Sequence, residues 1–491
     1  MQKSAKKTLV LRLIKILHFS VTIGLFFLYL FFFGAPEKLP VALAGTLLYL
    51  AVFFLIGRTY DIYSVGSARV QILIYSHTLT LLISAALAYA VQCVLALKLL
   101  SPLPVLCMLG VQVAWAFVWS ILANAVYFRV SPPRSAVVLF GNDSELHKLE
   151  EIRNFDKKFK VTQFVSTADG LDNAIAALDD AEVAFLSNVD TEDRSFLIKQ
   201  CIVNRVQCYV LPRVGDLLLV GADQMHTFSV PFLRVQWATP SPEYRFLKRA
   251  FDIFASLLAI LLLSPFMLIT ALAIKLYDGG PVLYKQVRLT RNRKQFNVLK
   301  FRSMRVDAEK DGVARLASAN DDRITPIGKI IRKIRFDELP QLFNILRGDM
   351  TIVGPRPERP EIAEQYEKEI PSFGLRLQVK AGLTGYAQIY GRYNTEPLDK
   401  LKMDLIYINN MSVTEDLRLM FATVKILFLP ESTEGVAEGQ VTASLAEASA
   451  EADAEATVKA DAEAQAESKG EDATSEAQAE ERSDAKEFQN V

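Results

Sequence analysis

The chain has 491 residues, room for two or three domains, and it is 51% hydrophobic with a mean hydropathy of +0.21. That is too apolar for an ordinary soluble protein of this length, and most of the excess lies before residue 130 and near residues 250–276. The net charge of zero hides a division: residues 431–491 hold 17 Asp or Glu against 4 Lys or Arg, which leaves 38 acidic and 51 basic residues in 1–430. A basic body beside apolar segments suits anionic lipid headgroups and phosphates and argues against nucleic acid as the partner.

Four apolar runs come first, Ile14–Phe33, Leu39–Ile56, Val70–Leu97 and Leu103–Phe128. A helix needs about 20 residues to cross a hydrocarbon core, so residues 1–130 are expected to form four transmembrane helices. The first run is too long for a signal peptide and lacks a small-residue cleavage site, so it is expected to remain as an anchor. Lys3, Lys6, Lys7 and Arg12 precede the first run, Arg58 and Arg69 follow the second, and Arg129 and Arg134 follow the fourth. The positive-inside rule then puts both ends of the bundle in the cytoplasm.

After the linker Ser131-Pro132-Pro133, residues 135–235 read as a Rossmann-like α/β domain. Strands are expected at Ala136–Phe140, Val161–Val165, Glu182–Leu186 and Gln207–Leu211, with a helix over Glu145–Phe155. Gly141 is all that remains of a dinucleotide fingerprint, so a structural or regulatory role is the plainer reading. Cys93, Cys107, Cys201 and Cys208 have neither redox nor metal-ligand spacing and read as structural thiols of a reducing compartment.

A fifth apolar run, Phe251–Tyr277, is interrupted by Ser264-Pro265. Arg245, Lys248 and Arg249 precede it, and Lys275, Lys285, Arg288, Arg291, Arg293 and Lys294 follow it. Basic flanks on both sides predict a helix that enters the membrane, breaks at the proline and returns. Ser264 is placed to satisfy a carbonyl that the proline frees. The apolar and basic stretch Leu417–Leu429 is expected to lie in the membrane interface, with a core helix as the alternative. The Ala/Glu-rich residues 431–491 have too little apolar surface to fold and are expected to be disordered.

Candidate chemistry clusters between residues 295 and 385. In Arg332-Lys333-Ile334-Arg335-Phe336-Asp337-Glu338-Leu339-Pro340-Gln341-Leu342 a carboxylate pair follows a basic cluster. Pro340 fits only a first helical turn, so Asp337 and Glu338 should sit at a helix N-terminus, with carboxyl pKa values lowered by the arginines. Alone, such a pair is more often a capping device. Lys300-Phe301-Arg302-Ser303-Met304 adds a second basic cluster, and Gly354-Pro355-Arg356-Pro357 a rigid turn that presents an arginine suited to phosphate. Three such clusters around one carboxylate pair point to a diphosphate site.

Lys300–Met304, Asp337–Leu342, Gly348–Met350, Gly354–Pro357 and Ala381–Gly385, with the Ser264-Pro265 hairpin, occur in one order. Over residues 245–430 they resemble the bacterial sugar transferases, polyprenyl-phosphate glycosyl-1-phosphate transferases of the monotopic superfamily. The spans and α/β domain ahead resemble its long members, of the undecaprenyl-phosphate galactose phosphotransferase type. The resemblance implies a mainly helical catalytic domain with a re-entrant membrane helix, facing the cytoplasm at the bacterial inner membrane. It implies transfer of a sugar-1-phosphate from a UDP-sugar to undecaprenyl phosphate, releasing UMP, as the first membrane step of exopolysaccharide, capsule or O-antigen synthesis. Asp337 would be the nucleophile that forms an aspartyl-phosphosugar. Glu338 would assist, orienting the metal or deprotonating the acceptor. Mg2+ is implied, with Asp337 and Glu338 as its ligands. Lys300, Arg332 and Arg356 match phosphate-holding positions, Arg302 matches a further motif position taken with them, and a homodimer is implied. Which sugar is transferred, galactose or glucose foremost with N-acetylated sugars behind them, is not selected by the sequence.

Two other classes compete. A membrane sensor or scaffold with a ligand-binding α/β domain would explain the front half but not the motifs after residue 295. A processive glycosyltransferase would need an Asp-x-Asp metal motif in the α/β region, where none stands.

Overall fold

The computed structural model describes residues 2–33, 39–66, 70–141, 158–225, 232–306, 308, 323–391 and 395–426. The helix expected at Glu145–Phe155 and the acidic tail lie outside the described residues. The chain divides into two compact units, Met1–Tyr244 together with Asn409–Leu429, and a second that holds Arg245–Ile408.

The four apolar runs become α1 (Gln2–Phe33), α2 (Leu39–Thr59), α3 (Val70–Ala96) and α4 (Leu103–Val130). In α1, α3 and α4 the stretches Leu9–Phe33, Val70–Ala96 and Leu103–Val130 are long and apolar enough to cross a membrane, whereas the apolar stretch Leu43–Thr59 of α2 is shorter. Phe26 stacks on Tyr49 with ring centroids 3.8 Å apart, and Phe53, Ile62 and Leu81 are fully buried beside them. Polar side chains share this interior. Tyr49 donates to Gln112 Oε1 (3.2 Å), and Gln112 Nε2 donates to the Thr22 carbonyl (2.9 Å), which ties α1, α2 and α4 together. Hydrogen bonds of this kind hold helices together where hydrocarbon surrounds them.

The α/β region forms a four-stranded sheet of β1 (Arg134–Phe140), β2 (Phe159–Ser166), β3 (Val183–Ser187) and β4 (Gln207–Val210), all parallel in the order β2-β1-β3-β4. The expected strands are all present. Helices α5 (Leu171–Asp179) and α6 (Thr191–Val203) bury Ala174, Leu178, Leu197 and Cys201 against the sheet. All four cysteines are free thiols. A Cβ at Gly141 would lie 2.3 Å from the Asn188 carbonyl oxygen, so the backbones after β1 and β3 can meet only over a glycine. That contact explains Gly141 without a nucleotide. α7 (Val214–Val220) and a short hairpin, β5 (Asp223–Met225) with β6 (Phe232–Arg234), complete this region.

The fifth apolar run lies within α8 (Pro242–Asp278), a single helix of 37 residues with Pro265 inside it. The expected break at Ser264-Pro265 does not interrupt the helix. Proline withholds the N–H that would reach the Leu261 carbonyl four residues back, and the Ser264 hydroxyl donates to that same carbonyl at 3.0 Å.

In the second unit β7 (Leu283–Leu289) and β8 (Gln295–Phe301) form an antiparallel hairpin. Thr325 caps α9 (Pro326–Lys333), its hydroxyl accepting from Gly328 N at 2.9 Å, and Pro326 occupies the first turn. α10 (Gln341–Arg347) ends at Gly348, whose φ of 91° is the left-handed stop that favours glycine. β9 (Thr351–Val353) pairs with β10 (Gly382–Thr384) in parallel. α11 (Pro360–Glu369), α12 (Tyr386–Tyr390) and α13 (Pro397–Asn409) follow around this small core.

The last described helix, α14 (Val413–Ile426), packs within the first unit. Phe421 lies against Tyr60 with ring centroids 5.9 Å apart, Leu419 is fully buried, and Arg418 pairs with Asp61 at 3.0 Å. Over its described part, 417–426, the stretch takes the core-helix alternative, its apolar side on the bundle and its arginine engaged in an ion pair.

Candidate functional site

The carboxylate pair occupies a short 3-10 turn, Phe336–Glu338, between α9 and α10, with Pro340 at the N-cap of α10. Asp337 and Glu338 thus precede a helix, as their spacing to Pro340 predicts. The turn is entered through Arg335, held in the left-handed region at φ 58°. A β-carbon there costs about 1 kcal/mol. Phe336 and Leu339 flank the pair and pack against Met267 and Ile274 of α8, with Phe301 and Ile331 alongside. The membrane helix is therefore the floor under the carboxylates.

The other half of α8 grips the same unit. Arg249 donates to the Ile345 and Leu346 carbonyls (2.6 and 2.7 Å), where α10 ends, and Lys248 to the Val353 carbonyl and the Tyr407 hydroxyl (each 3.0 Å). Buried Asp252 accepts from Thr351 Oγ1 at 2.7 Å and Ile352 N at 3.1 Å. Charges that the sequence offered as topological flanks are structural ligands of α10 and β9.

Around the pair the two carboxylates differ. Glu338 is 9% exposed, and its Oε1 accepts from Arg356 (2.8 Å) and Lys300 (3.1 Å). Burial opposes its ionisation, but Arg356, Lys300 and Arg335 outweigh burial and hold its carboxyl well below the usual range. Asp337 has no hydrogen-bond or ion-pair partner among the described residues. Burial first, and then the charge of Glu338, raise its pKa despite Lys300, Arg332 and Arg335. The expectation that the arginines lower both pKa values therefore holds for Glu338 and fails for Asp337, where burial and then the charge of Glu338 outweigh the cations. Burial and the nearby arginines lower the Lys300 pKa, while Glu338 raises that of Arg356.

The structure brings Lys300, Arg332 and Arg356 to the pair. Arg302 goes elsewhere. It is 7% exposed and binds both oxygens of Asp278, joining the end of β8 to the end of α8. With side chains alternating along a strand, Lys300 and Arg302 share a face of β8, but the strand ends at Phe301 and the chain turns Arg302 toward α8. Sequence reasoning missed Arg335, whose left-handed backbone leaves no signal, and Arg288, which joins the electrostatics of Lys300. Arg288 does leave one, the alternation Tyr284, Gln286, Arg288 along β7, with Tyr284 opposite Lys300 in register.

A Mg2+ ion takes oxygen ligands, commonly one or two carboxylates completed by substrate phosphates and water. Glu338 uses only Oε1 on its cations and Asp337 makes no contact, so carboxylate oxygens of the required kind remain; no group of three or more metal-ligating side chains occurs among the described residues. The donor set fits an ion that shares its coordination with a substrate diphosphate.

A carboxylate without partners, beside one tied to cations, at the foot of an apolar helix suits phosphoryl transfer at a membrane. Residues 243–430 match the family described as bacterial sugar transferase. The chain is 36% identical over 314 residues to the UDP-N-acetylgalactosamine-undecaprenyl-phosphate N-acetylgalactosaminephosphotransferase of Aeromonas hydrophila, covering 62% of this chain and 69% of that one. This protein belongs to the bacterial sugar transferase family. It is 39% identical to the UDP-glucose:undecaprenyl-phosphate glucose-1-phosphate transferase of Escherichia coli (strain K12) over 46% of this chain and 50% of the relative. It is 46% identical to the exopolysaccharide production protein PSS of Rhizobium leguminosarum bv. phaseoli over 36% of this chain and 93% of that one. Membership of this family of phosphoglycosyl transferases makes the chain an enzyme and sets aside the scaffold reading.

Proposed function

We propose that this sugar transferase moves a sugar-1-phosphate from a UDP-sugar to undecaprenyl phosphate, as the first membrane-bound step of a surface polysaccharide. An Asp337 carboxylate oxygen attacks the sugar-bearing phosphorus. The P–O bond to the UMP portion breaks and UMP leaves with the bridging oxygen. A phosphate oxygen of the lipid then attacks the same phosphorus. The bond to Asp337 breaks, which restores the carboxylate and yields undecaprenyl-diphosphate-sugar. The observation that supports this reading is that Asp337 makes no hydrogen bond or ion pair among the described residues, beside a Glu338 whose Oε1 is bound to Arg356 and Lys300. Cations bound at Oε1 draw charge from Glu338, whereas the Asp337 oxygens, once ionised, keep theirs available for attack on phosphorus. Arg356, Lys300 and Arg332 orient the diphosphate, and Glu338 holds the first two in place. Bound at Asp337 and Glu338, Mg2+ would supply charge neutralisation for the diphosphate.

The membrane location follows from α8. A straight helix of 37 residues would be about 55 Å long. Its first part binds α10 and β9, its last part packs under Phe336, and between and beside these contacts Leu261, Leu262, Leu268 and Ile269 are more than 60% exposed. Two grips on one small unit with an apolar middle support a helix that kinks at Pro265 while staying helical, dips into the cytoplasmic leaflet and returns, leaving the catalytic residues at headgroup level. Reporter tags at residues 240 and 290 should both read cytoplasm; a periplasmic signal at 290 removes the re-entrant reading.

The reaction is tested with membranes, UDP-sugar and undecaprenyl phosphate. UMP, not UDP, should be released, and labelled donor without acceptor should leave a phosphosugar on Asp337. Donor cleavage that waits for bound acceptor and leaves no adduct would refute the two-step path. The relatives differ in the sugar that they name, so a panel of UDP-sugars identifies the donor.

A further inference from the structure

Arg356 sits in the turn Gly354-Pro355-Arg356-Pro357-Glu358, and two arginines hold that turn. Arg376, 3% exposed in the 3-10 helix Pro371–Gln378, donates NH2 to the Arg356 carbonyl at 3.0 Å and NH1 to Glu358 Oε1 at 3.5 Å. Its Nε donates to Asp404 Oδ2 at 2.8 Å, and Asp404 is 1% exposed on α13. Arg288 of β7 donates NH1 to the next carbonyl, Pro357 O, at 3.1 Å, and the same nitrogen lies 3.7 Å from Glu358 Oε2. Gln286 Oε1 accepts from Arg288 Nε and NH2 at 3.1 and 2.6 Å, which orients its guanidinium.

Successive carbonyls of one turn thus accept from different arginines, and Glu358 bridges the two. We propose that Arg376 and Arg288, joined through Glu358 and backed by Asp404, are positioning residues that clamp the Arg356 turn and so set the guanidinium at the angle that phosphoryl transfer requires. They act through Arg356 and touch no substrate. The proposal rests on the reading of Arg356 as a phosphate-binding group.

The chemistry favours positioning over stability. Removing guanidinium and carboxylate groups from water is costly, and buried ion pairs are often no more stabilising than apolar residues of the same volume. Burial raises the Asp404 carboxyl to about 6 even against Arg376. What the charges supply is direction. The two prolines set their own φ angles, Gly382 N and Leu289 N hold the outer carbonyls of Pro355 and Glu358 at 2.8 and 2.9 Å, and the arginine donors hold the two carbonyls between them, that of Arg356 included. A displacement of about 1 Å at a reacting group can cost roughly 100-fold in rate.

The test is a double-mutant cycle on UMP release in the full-length protein, with Arg356→Ala and Glu358→Gln. Glu358→Gln preserves volume and leaves the Arg376–Asp404 pair intact. It should lower kcat about 10- to 100-fold in the wild-type background, assayed well below its own melting temperature so that lost stability does not reduce the folded fraction. In the Arg356→Ala background it should cost less than about 2-fold, because coupled residues do not add. Equal costs in both backgrounds, or no cost in the wild type, would overturn the clamp. Arg376→Lys provides a second arm with the same required non-additivity. Wild-type protein that releases no UMP would instead refute the proposed reaction, so the two failures are distinct.

Discussion

Asp337→Asn should lower UMP release by roughly 10⁴-fold or more, the scale on which loss of a nucleophile is felt, while raising the melting temperature at neutral pH or leaving it no lower. The first outcome follows from chemistry, since an amide cannot form the acyl phosphate. The second follows from the raised pKa of Asp337. A carboxyl whose pKa is raised on folding binds its proton more tightly when folded. Its contribution to stability is full below the unfolded value, about 3.9, and is lost as pH rises through the folded value. At neutral pH the ionised Asp337 is therefore a cost, and asparagine mimics the cheaper protonated form. The advantage of the variant should shrink as pH falls toward the carboxylate range. The same shift places the acid limb of the activity profile above the ordinary aspartate value, because the nucleophile must be ionised. A variant that melts lower than wild type at neutral pH would refute this account of Asp337, and one that keeps full activity would refute its role.

Glu338→Gln should have the opposite effect on the fold while also removing activity. Burial disfavours the Glu338 charge, yet Arg356, Lys300 and Arg335 hold its pKa well below the usual carboxylate range. A depressed folded pKa gives stability that is full above the unfolded value, about 4.3, and is lost only as pH falls through the folded value. At neutral pH the whole contribution is present, and glutamine forfeits it. Lys300 and Arg356 would then face each other without an anion. Breaking a buried pair by removing one partner costs about 3–5 kcal/mol. Retained hydrogen bonding puts this variant near the lower figure, a drop of roughly 6–12 °C for a unit of this size. Thermal melting in detergent or nanodiscs from pH 4 to 8 gives the comparison. Equal melting temperatures for Glu338→Gln and wild type across that range would show that the ion pairs do not hold the site together.

Much of this protein was legible without coordinates. A continuous apolar run has a single way to satisfy its backbone in hydrocarbon, so the membrane helices could be read from composition alone. The four strands followed from short β-branched runs between turn residues, and the Ser264 hydroxyl from the carbonyl that a proline must free. The Asp-Glu pair and its place before a helix followed from the chemistry of Pro340. These are local rules, in which the residues concerned are neighbours in the chain.

Other assignments needed the folded chain. Arg302 and Lys300 are two residues apart and look alike in sequence, yet one joins Glu338 and the other is buried on Asp278. The basic and apolar stretch at α14 matched an interfacial helix until Phe421 and Arg418 found partners more than 350 residues away in sequence. Arg376 and Asp404 carried no motif at all.

Sequence alone determined which runs are apolar enough for membrane helices, where the strands of the α/β region fall and which two carboxylates stand just before a helix, because each depends on periodicity or on the next few residues. Tertiary structure alone decided which carboxylate stays unpaired and which arginines face it, because a charge takes its strongest partner from whatever element crosses beside it, and that crossing is set by the packing of helices and strands far apart in the chain.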